Sequence, residues 1–198
     1  MISTLLTRLS WPVRVLWIIA ALLPNSLTSD GATQSVLLWV LWGLVALATW
    51  LHHPISLTVV RSITPVVTAW LLAGLPDASW EALQVASAAC SVIAVMLIFT
   101  AEYGLLHVQA GAYGDERRYL LKIPAPLILP TLLAWGLLVL FVCYPPVLLA
   151  QSNFILGIPG LILGLLLLWK LAPQLHRLSC RWLVRVPAGW VVHDSVVL

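Results

Sequence analysis

The sequence predicts an all-α integral membrane protein, a bundle of six transmembrane helices with both termini cytoplasmic. A short cytoplasmic amphipathic segment and a β-hairpin are expected at its C-terminal end. Three observations lead there. The chain has 198 residues, 62% of them hydrophobic and only 9% charged, whereas a soluble domain carries ~25% charged residues. So few charges cannot clothe a surface that faces water. The apolar residues fall in long runs broken by turn-forming residues, as bilayer-crossing helices require. Finally, all ten Lys and Arg residues fall on one side once these runs are drawn as spans.

The first run, 11–27, is the weakest, because Arg14 lies near its start and Pro24 near its end. Pro12 suits a first helical turn, where its missing N–H is not needed. Arg8 and Arg14 ahead of an apolar core also suit a signal peptide, but no small-residue cleavage site follows, so the run is read as a helix. The second run, 34–51, is uniformly apolar. His52-His53-Pro54 turns the chain into a third span, 54–75, which carries Arg61. The fourth span is 81–100, the fifth 123–144 and the sixth 154–171. The fifth is expected to stop at Pro145-Pro146. Residues 101–122 form the longest polar stretch; Gly104, Gly111 and Gly114 should break any long helix there, leaving a structured loop.

Residues 1–172 thus make one membrane domain and 173–198 a tail. In the tail, Leu175 and Leu178 are at helical spacing beside Arg177 and Arg181, a basic amphipathic piece for the membrane surface. Two runs rich in Val and Trp then flank Pro187-Ala188-Gly189, which reads as a β-hairpin. Arg8, Arg14, Arg61, Arg117, Arg118, Lys122 and the basic tail lie together on this topology, and the positive side is the cytoplasmic side. The expected location is therefore the cell membrane, multi-pass.

Membrane helices associate where small residues let backbones approach. Ala86, Cys90 and Ala94 form one such stripe on the fourth span, and Gly160 and Gly164 form a GxxxG pair on the sixth. Trp11, Trp50, Trp80 and Trp169 lie at span ends, where amphipathic rings anchor; Trp39, Trp42, Trp70 and Trp135 lie deeper.

Few residues carry chemistry. Arg61 lies ~10 Å into the third span at ~1.5 Å per residue, and Glu102 closes the fourth at the same face, so an intramembrane ion pair is expected. Arg117, Arg118, Arg177 and Arg181 are candidates for a phosphate or lipid headgroup. His107, Glu102 and Asp115 are weak candidates for a metal, because the histidines do not recur at ligand spacing. Cys90, Cys143 and Cys180 form no CxxC pair, and nucleophile, zinc-protease and P-loop motifs are missing. No catalytic residue and no cofactor is expected, and nucleic acid is not an expected partner; the lipid bilayer is.

These features favour a non-enzymatic membrane subunit or anchor, engaging a partner chain or a second copy through its loop and residues 182–198. A transporter or substrate-binding membrane component is the alternative, and it requires a polar cavity around Arg61 and the deep tryptophans. A membrane enzyme acting on a lipid at the cytoplasmic face would use His107, Glu102 and Asp115.

Overall fold

The computed structural model describes residues 2–23, 27, 31–73, 82–112 and 116–193, with backbone alone for 2–7 and 9. The ends of the first and third spans, the start of the fourth, Asp115 and residues 194–198 lie outside the described residues.

The described residues form seven helices. They are α1 (Ile2–Leu22), α2 (Ala32–Trp50), α3 (Pro54–Ala73), α4 (Ala82–Ile98), α5 (Ala101–Gln109), α6 (Ala125–Ala150) and α7 (Phe154–Ser179). Three strands join them: β1 (Arg117–Leu120), β2 (Trp182–Val186) and β3 (Gly189–His193). Four helices, α2, α3, α6 and α7, are long and apolar enough to cross a membrane. A fifth crossing results if α4 and α5, bent by 62° at their joint, count as one. The apolar part of α1, Ser10–Leu22, is shorter.

Side-chain bonds fix how the helices run. Trp17 Nε1 donates to the Trp42 carbonyl at 3.2 Å, and Trp42 Nε1 donates to the Trp17 carbonyl at 3.0 Å. A buried indole N–H without an acceptor is costly in hydrocarbon, so this exchange holds α1 antiparallel to α2. Ser87 Oγ donates to the Ala20 carbonyl at 2.6 Å and brings α4 onto α1. Trp135 Nε1 donates to the Ser62 carbonyl at 2.9 Å and ties α6 to α3. The buried core gathers Val13 and Trp17 from α1, Val45 from α2, Leu57, Val60 and Val67 from α3, Ala94 and Ile98 from α4, and Tyr103 and Val108 from α5. By contrast α6 and α7 pack mainly on each other and leave most of their Leu and Ile side chains exposed.

The strands form one antiparallel sheet in the order β1-β2-β3. Leu120 faces Trp182 across the first pair and Leu183 faces Val192 across the second. Gly189 closes the β2–β3 turn at φ 145°, a conformation that side-chain-bearing residues rarely adopt. Leu120 and Trp182 rest on the helical core, so the sheet lies against the bundle through β1 and β2. β3 is exposed along its whole length.

Several sequence expectations need correction. Residues 101–122 are not simply a loop, since they hold α5 and β1, and β1 finds its partner more than sixty residues away in β2. Gly104 lies inside α5 rather than ending it. A Cβ there would come within 2.6 Å of Leu120 Cδ2 and 2.9 Å of Arg61 Nη2, so the glycine makes room for both. Helix α6 continues through Pro145-Pro146 to Ala150, and α7 continues through Pro173 to Ser179. A proline removes one ladder bond, which membrane helices tolerate; the amphipathic piece is therefore the end of α7, not a separate segment. Helix α1 begins at Ile2, well before Trp11. On α4 the buried face is Ser87, Ala88, Ser91, Ala94 and Ile98, while Ala86 is exposed and Cys90 half-buried. The face turns by one residue from the small-residue stripe, toward the side where the Ser87 hydroxyl reaches the Ala20 carbonyl of α1, while Ser91 satisfies its hydroxyl on Ala88 within α4.

The glycines of α7 pack within the chain. A Cβ on Gly160 would meet Pro145 Cγ at 3.1 Å, and one on Gly164 would fall on the Phe141 carbonyl oxygen. Gly43 of α2 has nothing within 4 Å of such a Cβ. Gly164→Ala is therefore expected to lower stability by about 1–3 kcal/mol through overpacking, whereas Gly43→Ala should be neutral or slightly stabilising. Thermal unfolding of the two variants in mild detergent checks this; equal midpoints would contradict the α6–α7 packing.

Candidate functional site

A guanidinium among apolar helices needs acceptors, and the last carbonyls of a helix have no partner within it. Two arginines meet this need in the same way. Arg14 of α1, 7% exposed, donates from Nε and Nη2 to the Thr49 carbonyl in the last turn of α2, at 3.1 and 2.8 Å. Arg61 of α3 donates from Nε to the Ile98 carbonyl at the end of α4, at 3.3 Å, and from Nη2 to the Thr100 carbonyl at 3.2 Å. The negative end of each helix dipole faces the cation. Thr100 also closes α4 and opens α5, because its hydroxyl accepts from Tyr103 N at 3.3 Å.

Beside Arg14 lies a polar cluster. Arginine can only donate, so its Nη2 contact with His52 Nε2 at 3.2 Å makes that nitrogen the acceptor. The His52 ring meets the His107 ring edge-on at 5.6 Å. His107 is fully buried, and its Nδ1 donates to the Tyr103 carbonyl at 3.0 Å. Its Nε2 and the Tyr103 hydroxyl, both buried, have no hydrogen-bond partner among the described residues. The cluster ties α1, the α2–α3 turn and α5 together.

On the other side of Arg61 a cavity of about 690 Å³ opens between α3, α4, α6, α7 and the β1–α6 link. Its floor and walls are apolar, with Pro65, Val95, Phe99, Ile128, Leu132 and Trp135. Arg61 and Lys122 line it, with the hydroxyl-bearing Thr58, Ser62, Thr131 and Ser179, and no carboxylate among the described residues does. A smaller hollow of about 340 Å³ shares Thr131, Leu175 and Leu178 with it and includes Arg177. Both volumes fall within the usual range of ligand pockets, ~300–1,000 Å³.

Chain direction gives the cavity a polar and an apolar end. Thr58 precedes Pro65 along α3, Val95 precedes Phe99 along α4, and Lys122 precedes Ile128 and Trp135 on the way down α6. Lys122, Thr58, Ala101 and Ser179 therefore sit beside the sheet, and Pro65, Val95, Leu132 and Trp135 lie further into the bundle.

The residues singled out in the sequence separate. Arg61 and Glu102 are close in the chain fold, but Arg61 is directed to two backbone carbonyls and Glu102 is exposed. Arg117 and Arg177 are exposed. Arg118 bonds Glu116 at 3.1 Å and lies 5.6 Å from the Trp182 ring. Arg181 is 6% exposed and donates to the Lys122 carbonyl at 3.2 Å, so it ties α7 to the β1–α6 link instead of reaching outward. Of the weak metal candidates, His107 is buried, Glu102 exposed and Asp115 outside the described residues; no group of three or more metal-binding side chains occurs among the described residues. His176 bonds the Thr58 hydroxyl at 3.0 Å and joins α7 to α3, while His193 stacks on Trp182 at 4.9 Å. Sequence reasoning treated Arg14 and Lys122 as markers of orientation and missed Tyr103 and Thr100. The signal available was their spacing beside Arg61 and Arg14, which a single sequence does not bring together.

No protein-family model, no curated protein and no solved structure matches the chain.

His52 lies in the turn between α2 and α3. Burial, and then the charge of Arg14, push its pKa below the ordinary imidazole value. The unfolded chain therefore takes up a proton that the folded chain refuses, and stability falls as pH drops through about 6.5. The midpoint of thermal unfolding should be lower at about pH 5.5 than at about pH 7.5, with a smaller difference in His52→Asn. An unchanged difference in that variant would remove His52 from the account.

Proposed function

We propose that the chain is a six-span membrane component, both termini cytoplasmic, that holds a lipid-class ligand in the cavity beneath its sheet. The spans are α1, α2, α3, α4, α6 and α7, with α5 and the sheet at the cytoplasmic surface. The orientation is supported by the basic residues, which gather at the sheet end under this assignment. The short apolar part of α1 is accommodated by thinning and by Trp11 and Arg14 near its cytoplasmic end.

The observation that carries the ligand reading is the polarity of the cavity. Both cations and the hydroxyls of Thr58 and Ser179 lie toward the sheet, and the wall that continues into the bundle is mainly apolar, with the hydroxyls of Ser62 and Thr131 on it. A ligand that is polar at one end and apolar over the rest matches that axis, and a bilayer supplies such molecules at the right depth. Binding fits the side chains better than chemistry does, because Glu102 is exposed while His107 is enclosed.

A subunit role is favoured by a different observation. β3 is an outer strand with Trp190, Val191 and Val192 more than half exposed, and such an edge accepts another strand.

Extraction in mild detergent followed by native mass spectrometry tests both. The expected result is a retained adduct of lipid mass on the chain. A chain that leaves the membrane bare and rebinds no added lipid would end the ligand reading. A stoichiometric second chain, lost when residues 182–198 are deleted, would establish the subunit role.

A further inference from the structure

We infer that the ligand of this cavity is an anionic amphiphile, its phosphate or carboxylate held between Arg61 and Lys122 and its chain laid along Pro65, Val95, Leu132 and Trp135. This rests on the reading that the cavity holds a lipid-class molecule and adds the charge of its head.

The argument starts from the charge count at the site. Among the described residues two cations line the cavity and no carboxylate does. Arg61 is hydrogen-bonded, but both of its acceptors are neutral carbonyls. They satisfy Nε and Nη2, and among the described residues the positive charge has no counter-charge and Nη1 no acceptor. A cation near an apolar wall is far less screened than one in water, so the favourable complement is an anion with several acceptor oxygens.

A freely snorkelling arginine would explain the charge but not the geometry. Arg61 is held at two points, and the missing side chain of Gly104 leaves room for its guanidinium. Its direction also fits a headgroup. Side chains on a helix lean toward the N-terminus, so Arg61 leans toward Thr58 and the sheet end, where Lys122 is exposed. A small free anion would need only that end. The remaining wall, formed by Val95, Phe99, Ile128, Leu132 and Trp135, offers an apolar surface along which a chain following the head would lie.

Titration of the delipidated full chain tests this. The probes are short-chain phosphatidylglycerol, phosphatidylcholine and inorganic phosphate, read by thermal shift and by native mass spectrometry. Phosphatidylglycerol should bind at least about tenfold more tightly than phosphatidylcholine, as one charge-assisted contact commonly provides. Arg61→Gln should remove most of that preference. Lys122→Gln, on an exposed residue that the fold does not depend on, should reduce it by a smaller factor and keeps the test informative if Arg61→Gln does not fold. Leu132→Trp, which narrows the apolar end, should weaken both lipids. Equal binding of the two lipids, unchanged in Lys122→Gln, would overturn the anionic head while leaving the lipid reading intact. Inorganic phosphate competing as well as phosphatidylglycerol would overturn the apolar chain. Binding of neither lipid would overturn the underlying reading itself.

Discussion

The constraint on which this structure depends is that a guanidinium within an apolar bundle must find acceptors, and that helix ends supply them. Arg14 takes the Thr49 carbonyl at the end of α2, and Arg61 takes the Ile98 carbonyl at the end of α4 and the Thr100 carbonyl at the start of α5. Leaving such a group unpaired would cost several kcal/mol. Each arginine therefore fixes the height of its own helix against its neighbour. The second bond set also explains the joint. α4 has to stop where its carbonyls meet Arg61, Thr100 restarts the chain as α5, and Gly104 leaves space for the guanidinium.

The rest of the bundle follows the same economy of polar groups in apolar surroundings. The indole N–H groups of Trp17, Trp42 and Trp135 each donate to a carbonyl on another helix, and the hydroxyl of Ser87 does likewise. These bonds set register where apolar packing alone would allow sliding. α6 and α7 make little use of them. They are joined by backbone approach at Gly164, and they present Leu and Ile outward. The proposed ligand cavity opens at the seam between the two parts, where the bonded core meets this outer pair and the sheet closes one end.

The apolar runs were legible because hydropathy is a local property. A window over α2, α3, α6 or α7 contains the signal it needs. Boundaries were less so, since Pro145, Pro146 and Pro173 look like stops in a sequence, although a membrane helix can continue past them. Gly104 looked like a breaker for the same reason, and only the positions of Arg61 and Leu120 show what it accommodates. β1 could not be read, because Arg117–Leu120 becomes a strand through pairing with Trp182–Arg185. Charge invited the pairing of Arg61 with Glu102, whereas the backbone offers acceptors that no residue letter displays. The cavity needs four helices in place before it exists. Of the residues around which a binding reading of the sequence places its cavity, Arg61 and Trp135 line this one, whereas Trp39, Trp42 and Trp70 do not.

The account holds that the two arginines, the sheet and the polar end of the cavity share one membrane surface, and that this surface is cytoplasmic. Its most direct test is single-cysteine labelling in intact cells with a membrane-impermeant thiol reagent, after Cys90, Cys143 and Cys180 are replaced by Ala. Arg117→Cys and Trp190→Cys on the sheet are predicted to label only after permeabilisation, and Gln151→Cys in the α6–α7 link to label without it. Labelling of the sheet positions from outside, or of Arg117→Cys and Gln151→Cys from the same side, would contradict the account.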